Sequence, residues 1–227
     1  MRQRTAWLRN NDTTYLDQLL MEDGLVRPIE WDLLRRFPRA DIMAWCVKNG
    51  VYQVPTWELI DWLKHTINGD PAIEICAGKS CIGRYLGIPM TDSYQQTNPL
   101  VALYYATRMQ MPAIPPPDVE RLDAHQAIAK YRPKIVIGAW VTKHSWIRNQ
   151  GNYWGVHEEQ ILRAGCTYIH IGNDDPHGDV VWRTSSCESD MNCSTGCRFD
   201  PCPSNGSSTV PSDYKAVDPG RARAMTK

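Results

Sequence analysis

The sequence carries no excess charge of either sign, no long apolar run and no closely paired cysteines, and each absence removes a class of protein. Lys plus Arg equals Asp plus Glu at 25 each among 227 residues. Net charge therefore gives no support to a nucleic-acid partner held through phosphate neutralisation. No stretch approaches the roughly 18 apolar residues that a membrane-spanning helix needs, so no membrane partner is expected. The first dozen residues lack the apolar core of a secretory signal. The eight cysteines would suit a disulfide scaffold, yet the chain is long and four of them stand singly in apolar stretches, so a reducing cytoplasm is the expected compartment. The length suits one α/β domain with appendages, not two catalytic domains.

Composition divides the chain into three. Residues 184–227 are rich in Ser, Asp, Asn, Pro and Gly and poor in aliphatic residues. Such a segment buries too little apolar area to offset its ordering entropy, and it reads as a polar flexible tail. Cys187, Cys193, Cys197 and Cys202 lie inside it. Their C-x5-C-x3-C-x4-C spacing lacks the C-x2-C pairs that set two thiolates on one zinc ion. Zinc binding, disulfide pairing and free thiols all stay open, and no metal ligand is assigned. Residues 1–53 read as a helical N-terminal extension, and the helical reading runs on to residue 68. Trp31, Leu33 and Leu34, then Ile42, Met43, Trp45 and Cys46, fall at helical spacing, with Asn49 and Gly50 as a stop. Arg35, Arg36 and Arg39 are interleaved with acids, which makes a solvated charged face the simpler account of them than phosphate binding. In the next helix Thr56 is the N-cap, Leu59, Ile60, Leu63 and Ile67 form the apolar face, and Asn68 with Gly69 ends it.

Residues 54–183 then alternate short apolar runs with helical patterns. Strands are expected at 72–76, at 88–91 closed by Asp92, at 119–122 closed by Asp123, at 134–140 and at 166–171. Helices are expected at 81–86, 125–131 and 157–163. Alternation of this kind predicts an α/β fold with a mostly parallel sheet covered on both faces. Ligands of such sheets bind at the carboxyl ends of the strands.

The turn after the first expected strand, Ala77, Gly78, Lys79 and Ser80, ends like a phosphate-binding loop. That motif requires glycine where Ile73 stands, inside the strand. The turn is better read as E-x-G-x-G-x-G with Glu74 first, Gly78 intact, and Cys76 and Ser80 at glycine positions. In this form it resembles motif I of the class I S-adenosylmethionine-dependent methyltransferases. The resemblance implies a Rossmann-like sheet, S-adenosylmethionine as cofactor, and Glu74, Ala77 and Gly78 at the cofactor. Asp92, eighteen positions after Glu74, would accept from the ribose hydroxyls, Asp123 from the adenine amino group, and Trp140 would border the cofactor. From residue 54 to about 177 the chain also resembles a bacterial and phage family of methyltransferase-like proteins. The similar segments are 55–63, 73–78, 86–94, 119–124, 139–142 and 168–173. That family carries a further helix and an antiparallel strand pair beyond the position of His177. Here the polar tail begins almost at once, so the sheet edge is expected to be truncated or completed by a protein partner.

Methyl transfer asks for alignment of a nucleophile with the methyl-sulfur bond, plus a base where the nucleophile carries a proton. The end of the fourth expected strand, Ala139, Trp140, Val141 and Thr142, is not the [DNS]-P-P-[YFW] of amino-directed nucleic-acid methyltransferases, and no Pro-Cys nucleophile stands there. Residues 140–159 form the expected acceptor wall. His144 and His157 are the candidate bases because imidazole titrates near neutrality, and Glu158 either caps the following helix or bonds the substrate. Trp140, Trp146, Tyr153 and Trp154 either stack a planar acceptor or simply pack. His157, His170 and His177 lack the spacing that brings metal ligands together. The sequence thus points to a methyltransferase-like protein with an unidentified acceptor. The alternatives are a catalytically silent binding or assembly protein of that fold and, further off, a nucleic-acid accessory protein.

Overall fold

The computed structural model describes residues 12–79, 82–141 and 156–172, and the backbone of 222–225. Residues 12–54 build a small core of their own around Leu16, Leu20, Val26, Trp45, Cys46 and Val51. Part of this region is not helical. Met21–Glu22 pairs antiparallel with Leu25–Val26, and Asp23 (φ 49°) and Gly24 (φ 77°) make the turn. Two consecutive left-handed residues give the turn twist that matches paired strands, and Asp-Gly is the pair that adopts it most readily. That local chemistry overrides the expected helical run. Helix α1 (Arg39–Asn49) follows and ends on left-handed Gly50. A bridge between Ile29 and Thr56 carries the chain into α2 (Trp57–Ile67), where the Thr56 side chain accepts from the Leu59 amide as expected of an N-cap.

The sheet begins with β1 (Ala72–Ile75). After it come α3 (Ile82–Leu86), β2 (Thr91–Asp92), α4 (Pro99–Thr107), β3 (Glu120–Arg121), α5 (Ala124–Tyr131), β4 (Ile135–Ala139), α6 (Glu158–Arg163) and β5 (Thr167–Ile171). β4 lies between β1 and β5, parallel to both. β2 and β3 pair in parallel and join the other side of β1. There the Glu74 amide donates to Pro89 O at 2.9 Å, the Ala77 amide donates to Thr91 O at 3.1 Å, and Glu74 bridges Met90. Reading across, the parallel strands run β3, β2, β1, β4, β5. Both faces are covered. Ile135, Ile137, Ile169 and Ile171 point to α2 and α3, whereas Val136 and Tyr168 between them point to α5 and α6, the period of two that a doubly covered strand shows.

Three features depart from the sequence-based expectation. Helix α4 was not anticipated, although Asn98 caps it through the Leu100 amide and Pro99 starts it. The strands expected at 88–91 and 119–122 shorten to two residues each. Finally, residues 222–225, within the segment expected to be a tail, form β6 (Ala222–Met225), antiparallel to β5 with Ile171 opposite Ala222 and Tyr168 opposite Met225. The sheet edge expected to be short or to await a partner is taken by the chain's own strand. An open edge offers unpaired amides and carbonyls that even a weakly patterned segment can satisfy. Among the described residues no helix is long and apolar enough to cross a membrane.

Candidate functional site

The carboxyl ends of β1, β2 and β4 are marked by backbone in an unusual conformation. Cys76 follows β1 with φ 51°, Tyr94 follows β2 with φ 59°, and Trp140 follows β4 with φ 56°. Left-handed backbone costs roughly 1–2 kcal/mol for a residue with a Cβ, and such residues persist where surrounding contacts fix them. Gly78, at φ 54°, takes the same conformation without that cost.

Glu74 and Asp92 both accept from backbone amides of the segment that follows β1. Glu74 is buried, and its carboxylate accepts from the amides of Gly83 at 2.7 Å and Ile82 at 3.3 Å, tying β1 to the first turn of α3. Burial pushes its pKa up to about 7, with the two amide hydrogen bonds pulling the other way. Gly83 is needed for this approach: a Cβ there would lie 2.8 Å from Met90 Cγ and 3.0 Å from Glu74 Oε2. Asp92 Oδ2 accepts from the Gly78 amide at 3.0 Å and Oδ1 from the Tyr94 amide at 2.7 Å. Burial raises its pKa as well, again against two amide hydrogen bonds. Ala77 is buried beside Met90 and Val119. Burial raises the Cys76 thiol, and the charges of Asp92, Glu74 and Glu158 add to the shift, so this cysteine stays a neutral thiol.

Beside these groups, contacts distant in sequence bring together Tyr52, Gln96, Tyr105 and Ala113. Tyr52 Oη lies 2.9 Å from Tyr105 Oη and 3.5 Å from Gln96 Oε1, and Gln96 Oε1 accepts from the Ala113 amide at 2.7 Å. Burial pushes the Tyr52 pKa up to about 12, and Asp92 is near enough to add to the shift. A Cβ on Gly78 would sit 3.6 Å from Ala113 Cβ. Lys79, which mimics a phosphate-loop lysine in the sequence, donates instead to Asn49 O at 3.1 Å.

The remaining expected site residues are spread around this group. Asp123 is the N-cap of α5 in a full capping box: its Oδ1 accepts from the Gln126 amide at 2.8 Å, and Gln126 Oε1 accepts from the Asp123 amide at 3.1 Å. Trp140 is buried, and its indole N–H donates to Gln53 Oε1 at 2.8 Å. Glu158 opens α6 and is buried, and burial raises the pKa of both Cys76 and Tyr168, with the charge of Glu158 adding to the shift. His157 is half-buried with its ring 5.4 Å from that of His125. His144 lies outside the described residues, as do Trp146, Tyr153, Trp154, His177 and the four cysteines of the expected tail. Among the described residues no group of three or more His, Cys, Asp or Glu side chains could hold a metal ion. The geometry therefore joins Ala77 and Gly78 to Thr91 and Asp92 and ties Glu74 to the start of α3. Asp123, Trp140, His157 and Glu158 stand at neighbouring strand ends or helix starts.

No family model, no curated protein and no solved structure matches the chain.

Proposed function

We propose that the chain is a Rossmann-like, S-adenosylmethionine-binding protein of the methyltransferase type that transfers a methyl group to an unidentified acceptor. The observation that carries this reading is the strand order β3, β2, β1, β4, β5 with antiparallel β6 at the edge, combined with acidic residues at the carboxyl ends of the first three strands. In a parallel sheet the ligand sits where those ends converge. Each Asp92 oxygen already takes one backbone amide and, as a carboxylate, keeps a further lone pair for a hydroxyl donor. That suits a vicinal diol such as a ribose. Asp123 Oδ1 is engaged in the helix cap, which leaves Oδ2 as the acceptor for an adenine amino group. Gly78 presents bare backbone beside Ala113, and a cofactor's chain can approach it closely.

On this reading the protein's work is binding and alignment. Glu74 holds the start of α3 against β1, Trp140 stands at the end of β4, and His157 and Glu158, at the start of α6, would serve as proton acceptors. Cys76 is the feature that favours the second reading, a silent binding or assembly protein, because it places a side chain in left-handed backbone where the methyltransferase motif has glycine. Calorimetry with S-adenosylmethionine and S-adenosylhomocysteine separates the two. The methyltransferase reading expects binding by the wild type, and affinity at least about tenfold weaker for Asp92→Ala, since charge-assisted hydrogen bonds are worth about 1.5–3 kcal/mol each. Absence of binding by the wild type, or equal affinity for the variant, would sink it.

A further inference from the structure

The boundary between the N-terminal extension and the sheet runs through the candidate site. Four of the five residues 49–53 touch the carboxyl ends of three strands or the segments that follow them. Asn49 O accepts from Lys79 in the turn after β1. Gly50 packs so tightly that a Cβ would lie 2.4 Å from Pro112 O. Tyr52 meets Tyr105 and Gln96 from the segment after β2. Gln53 reaches Trp140 at the end of β4.

The last contact is the most constrained. Gln53 is 1% exposed and Trp140 8% exposed, so their hydrogen bond lies out of water, where a lost partner is costly. Trp140 is held from two sides: its amide donates to Ile171 O at 2.7 Å, and its indole N–H donates to Gln53 Oε1 at 2.8 Å. Between these anchors its backbone stays left-handed. An extended conformation at residue 140 would continue β4 and carry the ring away from Gln53. The two hydrogen bonds and the backbone conformation together choose one position for the indole.

We propose that Gln53 is a positioning residue, fixing the Trp140 ring as the wall of the cofactor pocket on the acceptor side. This rests on the methyltransferase-type reading and adds that residues 49–53 belong to the site. Gln53 touches no reacting atom. It acts through Trp140, and what it supplies is an acceptor for the indole N–H.

The test uses the full chain and four proteins: wild type, Gln53→Met, Gln53→Glu and Trp140→Phe. Met keeps the length of the side chain and removes the acceptor, Glu keeps an acceptor oxygen, and Phe removes the donor. In two-dimensional 15N–1H spectra the indole cross-peak missing from Trp140→Phe belongs to Trp140. Addition of S-adenosylmethionine is expected to move that peak in the wild type. In Gln53→Met the peak should shift, its exchange with solvent should quicken about tenfold, and the calorimetric Kd should weaken by about the same factor, the typical worth of one hydrogen bond. Gln53→Glu should restore slow exchange and most of the affinity, a rescue that loss of packing alone would not give. Should Gln53→Met fail to fold, Trp140→Phe carries the test and is expected to show the same weakening. Cofactor binding by the wild type with unchanged affinity in both Gln53→Met and Trp140→Phe would overturn the proposal and leave the methyltransferase-type reading standing. Absence of cofactor binding by the wild type would overturn both.

Discussion

Glu74 shows how one buried carboxylate can serve two ends. It is 1% exposed and accepts from two amides at the start of α3, yet removal from water outweighs those bonds and lifts its pKa from 4.5 to about 7. Because the folded value is the higher one, the neutral acid favours the fold. Its stabilising contribution is fully present below the unfolded value of about 4.5 and is lost as pH rises through about 7. A shift of this size corresponds to something on the order of 3 kcal/mol across that window. Urea unfolding of the wild type and Glu74→Gln between pH 4.5 and 8 measures it. The wild type is expected to lose stability relative to the variant as pH rises, and a constant difference between the two would show that Glu74 does not titrate in that window. Gly138 adds a second constraint of the same kind: a Cβ there would lie 2.3 Å from Tyr168 Oη, so the strand beside the site accepts no side chain at that position.

Helix α5 separates a structural from a recognition role for Asp123. Its carboxylate completes a capping box, and loss of such a cap costs about 1 kcal/mol. Asp123→Ala is therefore expected to lower stability by about that amount and to weaken S-adenosylmethionine binding. Asp123→Ser, which keeps a capping oxygen, should recover the stability and not the affinity. Thermal unfolding and calorimetry on the same two variants check this, and full recovery of affinity by Ser would leave Asp123 only the cap. The Thr56 cap, the apolar face of α2 and the runs that become β4 and β5 are legible in the sequence, because each is set by neighbours in the chain. The Asp23-Gly24 hairpin and the Asn98-Pro99 helix start carry equally local signals, the first of them inside the longer helical pattern expected of residues 1–68. Gly83 is a different case. The sequence reading placed the last small residue of the turn at Ser80, whereas the helix-to-strand approach is made at Gly83, against Met90 and Glu74. Only the crossing of α3 over β1 and β2 defines that need. Tyr52, Gln53, Gln96 and Tyr105 were illegible for the same reason: their partners lie 17 or more positions away in the chain, as with Gln53 and Trp140, separated by 87.

The sheet as a whole depends on both ends of the chain. Residues 12–54 supply a separate core that is joined to the sheet by the Ile29–Thr56 bridge, by the Tyr85 hydroxyl donating to Val26 O at 2.9 Å, and by Gln53. At the far edge β6 pairs with four successive residues of β5. Without it β5 would present an unpaired edge next to Tyr168, Ile169 and Ile171, which are 2% exposed or less. Exposed apolar edges invite pairing between molecules. A chain ended at residue 221 is therefore expected to unfold more easily, by a few kcal/mol if each of the lost backbone hydrogen bonds is worth about 1 kcal/mol net. It should also self-associate with rising concentration. Urea unfolding gives the first quantity and sedimentation velocity the second. The placement of β6 on β5 would be refuted by a shortened chain that unfolds at the wild-type urea concentration and remains at the wild-type sedimentation coefficient.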